Sequence, residues 1–113
     1  MFGLFRKRDP NKDSNDKVRK ALREHGDGGT VPRHVMHFVY PDASGANNTT
    51  VVLDFLVMNG LEVDPSKTEK GYIAEETREV ASADFDAHTA RLTHAMKQWN
   101  WKYDGWECAV VTD

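Results

Sequence analysis

The residues able to do chemistry in this chain are five histidines, a run of carboxylates around Arg78 and a single thiol. His34 and His37 stand three apart in a strand-like segment and so fall on opposite faces, while His88 and His94 stand six apart in a helical one and are well separated in angle. Neither spacing makes a preformed pair of ligands, and Cys108 adds no motif, so no metal and no cofactor are expected. Glu75, Glu76 and Glu79 flank Arg78, but no histidine or nucleophile pairs with them along the sequence. No catalytic residue is expected, and the cluster reads as a partner-facing surface. Gly26, Gly28 and Gly29 precede no strand-to-helix junction with a Lys-Ser or Lys-Thr pair, which removes a phosphate loop. Cys108 lies in an apolar run, where an inert buried thiol is expected. One cysteine permits no internal disulfide and points to a reducing, cytoplasmic setting.

Hydrophobic period supplies the elements that must position these groups. Residues 6–16 are polar, carry Pro10 and show no period, so 1–15 is expected as a basic flexible arm before a single domain over 16–113. Val18, Ala21 and Leu22 recur at helical spacing and Gly26 stops the run, predicting a short helix from Asp16 to His25. Arg33 to Tyr40, bracketed by Pro32 and Pro41 and bulky on both faces, predicts a central strand. Thr49 to Met58 has the Val and Phe content of a strand, yet Val52, Phe55 and Leu56 share a helical face and Asn59-Gly60 offers a left-handed stop. Helix is preferred there, followed by a strand over Leu61-Glu62-Val63. Asp64-Pro65-Ser66 reads as a turn. Gly71 to Ala81 is the third strand, polar on both faces at its middle, which suggests a sheet edge or a loaded surface. Ser82 or Asp84 caps the best-defined helix, whose stripe is Phe85, His88, Leu92, Ala95, Met96 and Trp99.

The last segment alternates twice, through Trp99, Trp101 and Tyr103 and then through Trp106, Cys108 and Val110, with a change of parity across Asp104-Gly105. A bulge or kink at Gly105, where glycine tolerates positive φ, is preferred to a two-residue hairpin. The resulting order is α+β: a ferredoxin-like βαββαβ sandwich, with a four-stranded antiparallel sheet and two helices, preceded by an extra N-terminal helix.

The net charge of -3 is unevenly spread. Residues 1–23 hold eight Lys/Arg against three Asp, or +5, and the remainder holds seven against fifteen acidic residues, or -8. An acidic domain repels phosphates and favours a basic partner. The start places its apolar residues before Arg6-Lys7-Arg8, the reverse of a secretory signal, and no stretch approaches the roughly 20 apolar residues of a spanning helix. Phe2, Leu4 and Phe5 beside the basic triplet offer at most a weak contact with acidic lipid, so no stable membrane association is expected.

Trp101-Lys102-Tyr103-Asp104-Gly105-Trp106-Glu107 carries a Tyr-Asp-Gly-Trp box. With Asn59-Gly60-Leu61-Glu62-Val63, Arg78-Glu79 and a leading helix that ends in Gly26, it resembles the bacterial family of regulator of ribonuclease activity B over about residues 16–112. The resemblance implies a ferredoxin-like domain without enzymatic activity that acts by protein contact. The family's best-known member attaches to ribonuclease E and lowers its cleavage of RNA. On this reading Tyr103, Asp104, Gly105, Trp106 and Gly60 are structural marks of the fold. Glu75, Glu76, Arg78, Glu79 and Glu107 are the expected partner-binding set, for ribonuclease E or another basic protein segment, without direct nucleic-acid contact. Two alternatives are an adaptor of this family with an unrelated partner, and a single-stranded RNA-binding module that stacks bases on exposed sheet aromatics.

Overall fold

Residues 10–64 and 71–112 are described by a computed structural model. The elements are α1 (Pro10–Glu24), β1 (Arg33–Pro41), a 3-10 turn (Ala46–Asn48), α2 (Thr49–Met58), β2 (Glu62–Asp64), β3 (Tyr72–Arg78), α3 (Ala83–Gln98) and β4 (Trp101–Cys108). The strands form one antiparallel sheet in the order β2-β3-β1-β4. That is the ferredoxin-like α+β arrangement with an added leading helix. Inward positions of the strands meet the helices in two clusters. Val39, Ala74 and Trp101 pack with Val52, Leu56, Leu92, Ala95 and Met96. Val35 and Trp106 pack with Leu22, Val80 and Phe85. A fully buried Val, Leu, Met or Phe in such a core contributes about 1.5–3 kcal/mol.

The helices expected after β1 and β3 form as the periodicity predicts. Ser82 caps α3, its Oγ accepting from the Phe85 N–H at 3.2 Å, and α2 runs from Thr49 to Met58 before the chain turns at Asn59-Gly60. α2 buries Val52 and Leu56 and leaves Val51, Val57 and Met58 exposed. No helix among the described residues is long and apolar enough to cross a membrane.

Four expectations need correction. α1 begins at Pro10 rather than near Asp16, because proline suits the first helical turn and the first half of the helix docks through polar contacts that leave no apolar period. Asn11 Nδ2 donates to the Asp86 carbonyl at 3.0 Å. Asn15 Nδ2 donates to Asp86 Oδ1 at 2.8 Å and Thr89 Oγ1 at 2.9 Å. Arg19 donates to the Val80 carbonyl at 3.0 Å. The rest of the expected arm, residues 1–9, and Pro65-Ser66 of the expected turn lie outside the described residues. Secondly, β3 is an interior strand between β2 and β1, not an edge; its carboxylates are tolerated because both of its faces supply histidine partners, as described below. Thirdly, β4 starts at Trp101, not Trp99. Trp99 closes α3, and Asn100 takes a left-handed φ of 59° that turns the chain into the sheet. Lastly, the tryptophans of β4 offer no stacking platform: Trp101 and Trp106 are buried, one in each cluster.

The change of parity is a bulge. His37 pairs with Trp106 and Val39 with Tyr103, so Asp104 and Gly105 share the place opposite Phe38. Gly105 has φ +96°, and β4 continues without a hairpin to Cys108. The extra residue lets Tyr103 and Trp106 both point to the helices.

Candidate functional site

On the helix side of the sheet, a polar cluster sits between the two apolar ones. Inward parity places His37 of β1 between Val35 and Val39, and Glu76 of β3 two residues from Ala74. His88 of α3 occupies the apolar stripe with Phe85 and Leu92. His37 Nε2 lies 2.6 Å and His88 Nε2 2.8 Å from the same oxygen, Glu76 Oε2. The second ring nitrogen of His37 meets Tyr103 Oη at 2.7 Å. The imidazole also stacks on Phe85 at 6.3 Å between centroids. His37 is fully buried, His88 is 6% exposed at its side chain and Glu76 10%.

The charges follow from this geometry. Burial alone would raise the Glu76 carboxyl, but the hydrogen bonds from His37 and His88 hold it down to about 2. Burial lowers the pKa of His37 against the pull of Glu76, which favours the neutral imidazole. Burial, with the charge of Glu76, raises the Tyr103 phenol and keeps it protonated. Arg78 Nη1 approaches Glu76 Oε1 at 3.8 Å and is buried without a hydrogen-bond partner among the described residues.

Among the described residues, no helix covers the opposite face of the sheet. Across it runs one cross-strand row, Glu62, Glu75, Met36 and Glu107, from β2 to β4. The next row holds Asp64, Ile73 and Phe38, and beyond it Tyr40 pairs with Lys102. Met36, Phe38, Tyr40 and Ile73 are half-buried. The result is an apolar strip along the central strands with carboxylates on both flanks. His34 Nε2 meets Glu75 Oε1 at 2.7 Å on this face.

A buried ion pair fixes the end of β1. Arg33 grips Asp27 at 2.5 and 3.0 Å and also donates to the Ala109 carbonyl at 3.0 Å. Asp27 in turn accepts from the Gly29 and Val111 N–H groups, both at 2.8 Å. Arg33 first, then these backbone donors, depress its carboxyl well below the usual range, although burial opposes them. Cys108 is half-buried, and burial pushes its thiol up against the pull of Arg33.

The carboxylates grouped in sequence thus separate in space. Glu75 and Glu107 share the open face on either side of Met36, whereas Glu76 turns inward to the histidines with Arg78 beside it. Glu79 lies past the end of β3, where its carboxylate accepts from the Ala81 N–H at 3.2 Å. Tyr103 and Trp106 face inward around the bulge, with Asp104 exposed, and Gly60 takes φ +84° after α2. Sequence spacing leaves His37 and His88 without a partner, because the histidine nearest to each along the chain falls on another face. The available signal was that each sits at the apolar parity of its own element, as does Glu76.

The profile of the family regulator of ribonuclease activity B (RraB) matches residues 12–108. The chain belongs to this family. Its match begins within α1 and ends at the last residue of β4, so the RraB unit includes the leading helix as well as the sandwich. No curated protein matches the chain. RraB proteins are regulators of ribonuclease activity, and that description is regulatory rather than catalytic.

Proposed function

We propose that this chain lowers the activity of a ribonuclease of the ribonuclease E type by direct protein contact, without catalysis of its own. The contact surface is the open face of the sheet. The observation that carries the reading is the row Glu62-Glu75-Met36-Glu107 beside Phe38 and Ile73, an apolar strip flanked by carboxylates. Such a surface suits a segment that presents Lys or Arg on either side of an apolar anchor, with charge governing the approach and the anchor the hold. Of the five residues expected to bind a partner, Glu75 and Glu107 belong to this surface. Glu76 turns away from it to the histidines with Arg78 beside it, and Glu79 lies past the end of β3.

Cleavage of a short RNA by ribonuclease E of the same organism, measured with and without the chain, tests the proposal. Inhibition is expected, weaker at high salt, and about tenfold or more weaker for Glu75→Lys with Glu107→Lys. Absence of inhibition at any salt, or full inhibition by a folded double variant, overturns it. The RNA-binding reading is disfavoured by the same carboxylates, which repel phosphates beside Phe38 and Tyr40. Tryptophan and tyrosine fluorescence is accordingly expected to stay unchanged when single-stranded RNA is added.

A further inference from the structure

We propose that His37, Glu76 and His88 form a binding site for one divalent transition metal ion of the zinc class. The three side chains come from β1, β3 and α3 and bring their ligand atoms within 4.8 Å of one another. Two imidazoles and a carboxylate are a donor set that suits zinc and its spectroscopic substitute cobalt(II). Both Nε2 atoms aim at one carboxylate oxygen, at 2.6 and 2.8 Å. An ion with tetrahedral ligands at about 2.0–2.2 Å, hence roughly 3.4 Å from one another, would occupy the space between these atoms after each contact opens by roughly 0.6–0.8 Å.

The surroundings are those of a ligand set. Tyr103 Oη holds Nδ1 of His37 at 2.7 Å, the outer contact that orients a ligating imidazole. A phenol both donates and accepts, so it serves either tautomer. Without metal, Oη donates to Nδ1 while Nε2–H donates to Glu76. With metal on Nε2, the ring proton moves to Nδ1 and is donated to Oη. Three protein ligands leave the fourth position to a water molecule. Arg78 covers the outer side: its guanidinium lies 3.8 Å from Glu76 Oε1, and its charge opposes an incoming cation. The three ligands are each nine-tenths or more buried, so the ion would act on the stability of the domain. The site is independent of the partner surface, which lies on the other side of the sheet.

Titration of the chelator-treated full chain with zinc alone, and with cobalt(II) alone, tests this. One equivalent of zinc is expected to bind and raise the melting temperature, and cobalt(II) is expected to give the intense visible absorption of a four-coordinate site. His88→Gln keeps a donor towards Glu76, so the fold survives while affinity falls by more than about 100-fold. Tyr103→Phe, a change at a positioning residue, weakens binding about 10-fold or more with the cobalt(II) band retained. Arg78→Ala tightens it. His34→Gln, which breaks the exposed pair with Glu75, leaves affinity unchanged. The proposal is overturned if the folded chain binds no stoichiometric zinc, if binding survives undiminished in His88→Gln, or if it is lost in His34→Gln.

Discussion

Glu75 and Glu76 are neighbours on β3, and each meets a histidine of β1 at nearly the same distance, 2.7 Å for His34 and 2.6 Å for His37. The alternation of the strand sends them to opposite faces, and everything else differs. The outer pair stands in water, with His34 54% exposed; the inner pair is closed off, with His37 fully buried, and gains a second imidazole from α3. In water an ion pair is screened and contributes little, so the outer carboxylate remains free to exchange its histidine for a partner's cation. Inside, leaving either group unmatched exposes the full cost of its desolvation, so the inner carboxylate is committed to the fold. Under the proposed function, one dipeptide therefore supplies both a contact residue and a structural one.

The sharpest way to break this contrast is to remove charges of each kind. The largest loss is expected for Asp27→Ala, about 3–5 kcal/mol, because it strands the buried guanidinium of Arg33. Its acid dependence has a definite sign. The folded-state pKa of Asp27 is depressed, so the stabilisation is complete above the unfolded value of about 3.9 and disappears as the pH falls below it towards the folded value. Urea unfolding at neutral and acid pH should show the variant converging on the wild type in acid. A gap that widens on acidification would contradict the pairing.

Glu76→Ala comes next, at about 2–4 kcal/mol by urea unfolding, since it leaves two buried imidazole N–H groups unmatched. A loss no greater than that of Glu75→Ala would erase the distinction between the faces. Gly105→Val is expected to cost about 1–3 kcal/mol, wholly from the positive φ, because a Cβ there meets nothing within 4 Å. Gly105→Asn, which tolerates that φ better, should recover part of the loss; equal losses for the two would point away from the backbone. Smallest is Glu75→Ala, within about 0.5 kcal/mol in thermal or chemical melts, although the same substitution should weaken ribonuclease inhibition.

Features that depend on neighbours in the chain were legible from sequence. The stripe of α3, the glycine stops after α1 and α2, and the parity change at Gly105 each leave a local pattern, and together they led to the ferredoxin-like order. The start of α1 was not legible, because Asn11, Asn15 and Arg19 are satisfied by residues 61 to 75 positions away, and a polar tertiary contact has no period. The interior place of β3 was missed for the same reason. Its carboxylates looked like those of an edge until His37 and His88 supplied partners from other elements. The metal-ligand geometry lies furthest from sequence, since one of its three members is fifty-one positions from another (His37 to His88), and only the folded sheet brings them together.

The place of β4 beside β1 has a consequence for synthesis. Among the described elements β1 is made well before its neighbour β4 and must wait for it, and the largest buried side chain of each apolar cluster, Trp101 and Trp106, is made after the other described elements. Trp106 then reaches back 91 residues to donate its indole N–H to Asn15 at 2.7 Å. A chain cut before Trp101 therefore lacks both keystones and the anchor of its first helix, and is expected to be cleaved by a protease faster than the chain that keeps them.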